Sequence, residues 1–101
     1  MYQMDFVFTK INDMKFISHL DLMRLFSRAF RRADIPVKIT EGFNPHPKFS
    51  IKQALKLGIE SENEEATVVL TQSLAPLDFT QRLNSQLPEG IFIKSAVLKT
   101  R

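Results

Sequence analysis

Residues 18–36, "SHLDLMRLFSRAFRRADIP", constrain the fold more than any other stretch, because they specify a helix with two incompatible faces. Ser18 is a good N-terminal cap, and Asp21 follows three positions later, where a capping box places its second partner. Pro36 lacks an N–H and biases the residue before it away from helical dihedrals, so the helix predicted over residues 19–34 stops ahead of it. At about 100° per residue, Leu22, Phe26, Ala29, Phe30 and Ala33 gather on one side. Arg24, Arg28 and Arg31 fall opposite, within roughly 60° of one another, with Arg32 and Asp21 beside them. The first stripe needs an apolar layer to lie on, and the second needs water or anions.

The flanking segments supply that layer. "YQMDFVFTKI" is rich in aromatic and β-branched residues and puts Met4, Phe6, Phe8 and Lys10 on one face of a strand. "NDMKF" follows as a turn. "PVKIT" is a short β-prone run, and "KFSIKQALKLG" resumes an extended pattern with Phe49, Ile51 and Gln53 on a common face. Residues 58–65, "GIESENEE", read as a polar turn, and "EEATVVLTQ" as a strand with Thr67 and Val69 opposite Val68 and Leu70. "APLDFTQRLNSQLPEG" predicts a second helix with Leu77, Phe79, Leu83 and Leu87 apolar, and "IFIKSAVLK" a last strand. That order gives an α+β fold in one domain over residues 1–101: a ferredoxin-like sandwich, with an antiparallel sheet of four or five strands and two helices on one face.

The 101 residues contain no cysteine, which removes disulfides, thiolate catalysis, cysteine-held zinc and cysteine-held iron–sulfur clusters. Two histidines without a ligand spacing argue against a metal, and no cofactor is expected. No apolar run approaches the roughly 20 residues that span a bilayer, and the N-terminus lacks secretory-signal character, so the expected location is the cytoplasm, away from membranes. The net charge of +3 is mild, and any case for an acidic partner rests on how the arginines cluster.

The plain reading of "RLFSRAFRRA" is a solvated helix surface. Its charges are nonetheless of one sign, and arginine presents a planar fork suited to phosphate or carboxylate. Like charges at helical spacing cost a few tenths of a kcal/mol per pair, which an anionic partner would relieve. Lys38, Lys48 and Lys52 are candidate extensions of the patch. In "EGFNPHPKFS", the prolines steer Asn44 and His46 away from helix, giving a stiff loop in which Gly42 is free to take positive φ. Its plain reading is a turn between strands; its functional reading makes Asn44, His46 and Lys48 part of a site. His19, just after the cap, is either a neutral imidazole tucked against the sheet or, with His46, an acid or base; Asp21 is a third catalytic candidate. If "PVKIT" runs as a sheet strand parallel to the first, His46 arrives near His19; if it only crosses the base, His46 lies near Arg31 and Arg32. The alternation of Val37 and Ile39 with polar neighbours favours the first arrangement.

The run "KFISHLDLMRLFSRAFRRADIPVKITEGFNPHPKFS", with "LKLGIES" and "LNSQLPEGI", closely resembles the radical-SAM-linked proteins of the domain of unknown function 2344, in its N-terminal part. The family's motifs fall here on Ser18, His19, Leu20, Asp21, Arg24, Arg31 and Arg32, and on residues 42–48. The resemblance implies a role beside a radical SAM protein. A chain without cysteine cannot hold that enzyme's cluster, so the expectation is an accessory or substrate-binding module rather than an enzyme. It would bind an anionic substrate, RNA first, through Arg24, Arg28, Arg31, Arg32, Asn44, His46 and Lys48, with Phe43 stacking on a base if exposed. The alternatives are a metal-independent nuclease or transferase using His19 and His46, and a structural module docking its basic face on an acidic protein.

Overall fold

Met4, Phe6 and Phe8 alternate into the interior from β1 (Tyr2–Lys10), and everything else is arranged around that strand. The computed structural model describes residues 1–54 and 57–101. After β1 come a 3-10 helix (Asn12–Phe16), α1 (His19–Arg32), β2 (Phe49–Ile51), β3 (Ser61–Leu70), α2 (Pro76–Asn84) and β4 (Ile93–Thr100). The sheet order is β2-β3-β1-β4 with every neighbouring pair antiparallel, which is the ferredoxin-like arrangement expected from the order of elements. Both helices lie on one face: the Phe6 ring is 5.8 Å from Phe26 of α1 and 5.3 Å from Phe79 of α2.

The signals at the start of α1 act as expected. Ser18 stays extended and its Oγ accepts the Asp21 N–H at 3.1 Å, while Leu22, Phe26, Ala29 and Phe30 are buried. The helix stops two residues short of residue 34. Asp34 takes a left-handed φ of 53°, its N–H reaches the Arg31 carbonyl, and the Ile35 N–H reaches Phe30. These two bonds and the burial of both Ile35 and Phe30 make a Schellman terminus, which closes the last carbonyls before Pro36 is reached.

Three expectations need correction. "GIESENEE" is not all turn: β3 begins at Ser61, and Glu64 and Glu65 pair with Phe8 and Val7. Pairing with the central strand overrides the low β-propensity of the acidic residues, whose side chains keep access to solvent. Leu77 is 68% exposed, because it stands about 200° round α2 from Phe79 while Leu83 is only about 40° away. "PVKIT" forms no sheet strand parallel to β1. Val37 makes one bridge to Leu70, then the chain turns off the sheet edge as a hairpin-like loop in which Ile39 faces Pro47. The loop returns at Lys48, whose carbonyl accepts the Val69 N–H, and only then does β2 continue along β3. In the extended run after the loop, Phe49 and Ile51 are half-buried and Gln53 is exposed; its residues 55 and 56 lie outside the described residues.

Candidate anion-binding groove

The return of the loop at Lys48 sets β2 against the flank of α1, with the Phe49 ring 5.3 Å from Phe26 and 5.2 Å from Phe30. Above this contact, between the outward flank of α1 and the loop, runs a groove of about 520 Å³. Arg24, Arg28 and Arg31 line one side and His46, Pro47 and Phe49 the other, with Leu20, Met23 and Ser27 completing it. The helix arithmetic that collected the three arginines also puts Leu20 and Ser27 within about 60° of Arg24, so the sequence did carry a signal for them. Phe49 and Pro47 carried none, because only the path of the loop brings them there.

The groove is cationic without internal compensation. Arg24 makes an exposed contact with Asp21 at 3.6 Å, of the kind worth little in water. Among the described residues, Arg28, Arg31 and Arg32 have no carboxylate within ion-pair distance, and none lines this groove. The open face of the sheet differs. A depression there is lined by Asp5, Ser50, Lys52, Glu65 and Thr67, among others. Its charges are satisfied locally, Asp5 by Lys99 at 2.8 Å and Lys52 by Glu65 at 3.2 Å. Burial pushes the Asp5 carboxyl up, but hydrogen bonds from Lys99, Gln3 and Thr67 and the Lys99 charge outweigh it and hold the group below its ordinary value.

His46 is presented in a fixed pose. Its Nδ1 lies 2.7 Å from the Asn44 carbonyl oxygen, and a carbonyl can only accept, so Nδ1 carries a proton. The Thr40 hydroxyl accepts the His46 N–H at 3.2 Å, and the Thr40 N–H reaches the His46 carbonyl at 2.8 Å, closing the loop on itself. In the neutral ring, Nε2 therefore keeps the lone pair. Gly42 takes the expected positive φ, at 124°, and the next residue, Phe43, is wholly exposed at the tip.

The other predicted site residues are placed unevenly. Asn44 contributes its backbone carbonyl to the imidazole. Lys48 is exposed, and Lys38 stands 4.0 Å from Glu41; neither lines the groove. Lys52 faces the open side of the sheet and does not extend the patch. Arg32 is exposed, about 80° round the helix from Arg24. His19 does not tuck against the sheet. It is exposed, because the side chain of the first helical residue leans back past the helix end. His46 lies beside Arg31, not in the arrangement favoured by the sequence, since the loop leaves the sheet at Val37 instead of climbing toward the start of α1.

No curated protein and no solved structure matches the chain. A family model does, over residues 3–100, and the chain belongs to that family: DUF2344, uncharacterized protein conserved in bacteria.

Proposed function

We propose that the protein is a substrate-binding module that holds an anionic ligand, single-stranded RNA first among the candidates, in the groove between α1 and the loop, and that it serves a radical SAM partner. The partner half of this reading rests on the resemblance of the sequence alone. The observation that carries the binding half is the convergence of Arg24, Arg28 and Arg31 with His46 on one groove that no described carboxylate lines. Guanidinium forks suit phosphate, and a wholly exposed Phe43 on a stiff tip suits stacking on an unpaired base. The groove is open and shallow, as a strand requires. The alternative of a nuclease or transferase using His19 with His46 finds less support, because His19 is not among the residues lining the groove.

Fluorescence anisotropy with a labelled uridine ribo-oligomer tests the reading. Arg28→Ala and Arg31→Ala are each expected to weaken binding several-fold, while Lys94→Ala, on β4, leaves it unchanged. Equal loss from all three variants would mean that general charge rather than this groove holds the strand.

A further inference from the structure

Past Arg31 and His46 the groove continues into a second depression of about 520 Å³, and Ser27, Arg31, His46 and Pro47 line both halves. The character of the wall changes there. Ile35, Pro36, Val37, Ile39, Pro45 and Pro47 line it, and the only described carboxylate among its lining residues is that of Asp34. Asp34 is held by the Schellman terminus, its N–H bonded to Arg31. Among the described residues no cation lies within ion-pair distance of its carboxylate: Arg82 reaches only the Asp34 backbone carbonyl and pairs instead with Asp78.

We propose that this apolar half takes a guanine base, so that the trough as a whole binds a guanine nucleotide, free or as one unit of single-stranded RNA. The inference rests on the anion-binding reading of the arginine half. Proline rings and branched side chains offer flat apolar walls to a planar ring. An alkyl chain would fill the apolar wall but make no use of the exposed Asp34 carboxylate, which would stay in water. Guanine instead brings N1–H and N2–H₂, two adjacent donors that match the two carboxylate oxygens. Uracil flanks its one imino donor with carbonyls that the carboxylate repels; adenine and cytosine each set an amino donor beside a ring-nitrogen acceptor. The same repulsion orients the ligand: phosphate is turned away from Asp34 and toward Arg31, Arg28 and Arg24. His46 lines both halves, and its Nε2 lone pair is the acceptor available to a ribose hydroxyl between them.

Binding is measured by anisotropy with uridine ribo-oligomers carrying one central guanosine, adenosine or cytidine, and separately with fluorescently labelled GMP and AMP. The guanosine oligomer is expected to bind about tenfold more tightly than the others. Asp34→Asn should erase that preference while keeping the affinity for the all-uridine strand. Asparagine tolerates the left-handed backbone at this position, so the variant should fold, as an unchanged melting temperature would verify. GMP binding more tightly than AMP, with no strand bound, would support the site with the free nucleotide as its ligand. Equal binding of all strands in the wild type, or a guanosine preference that survives in Asp34→Asn, overturns the guanine site and leaves the anionic groove standing. Absence of binding by every strand and both nucleotides at low salt overturns both.

Discussion

His46 and Asp5 are both polar residues fixed by neighbours, with opposite outcomes. The bonds to His46 come from its own loop and leave one ring nitrogen free, whereas Asp5 spends both oxygens, one on Gln3 and Thr67 and the other on Lys99. Because the folded-state value of Asp5 is lowered, its contribution to stability is held above the unfolded aspartate value of about 3.9 and is lost as pH falls through the still lower folded value. Asp5→Asn should therefore lower the melting temperature at neutral pH and flatten its decline in acid, measured by circular dichroism from pH 7 down to pH 2. Gly90 is a second residue under a specific demand. It has φ of 97°, and a Cβ there would stand 2.5 Å from the Ile11 carbonyl oxygen and 2.9 Å from Met14 Cγ. Gly90→Ala is expected to cost about 1–3 kcal/mol in a urea titration, from strain at a special backbone conformation. Neither demand was legible in the sequence: Gly90 reads there only as a stop after "LP", and of the three partners of Asp5 only Gln3 is local, while Thr67 and Lys99 stand 62 and 94 residues downstream on other strands.

At the scale of the element, α1 separates stability from binding by face. Phe26 is fully buried with Phe6, Phe8, Phe30 and Phe49 around it, so Phe26→Ala should cost about 3–5 kcal/mol. Arg28→Gln with Arg31→Gln removes exposed like charges and should leave stability within about 0.5 kcal/mol of the wild type, or slightly above it. Chemical denaturation of the two variants side by side checks the contrast. The helix was legible because its signals are local: a cap, a period and a proline. The loop was legible only in its stiffness. What it does, crossing Ile39 against Pro47 and delivering His46 to Arg31, depends on Val37 bonding to the far end of β3, and no property of "PVKIT" itself decides that. The same holds for the start of β3, where acidic residues become strand because β1 offers them backbone partners.

For the whole molecule, the sheet order followed from the order of elements, since two helices with one greasy face each need a common apolar surface. The consequence for function is a division of charge. The open sheet face pairs its acids and bases with one another, whereas the α1 flank has, among the described residues, only the exposed Arg24–Asp21 contact. Among the described residues, Arg28 and Arg31 of the trough have no ion-pair partner and Arg24 only its exposed contact with Asp21, so the trough is left to take up phosphate. The most direct measurement is the affinity for a single-stranded uridine oligomer as a function of salt, for the wild type and for the variant with Arg24, Arg28 and Arg31 all replaced by glutamine. If the three arginines each neutralise a phosphate, the logarithm of the wild-type association constant falls against the logarithm of salt with a slope of about −2, and the variant loses nearly all of that slope. A wild type whose affinity ignores salt, or a variant whose slope is unchanged, would contradict the account.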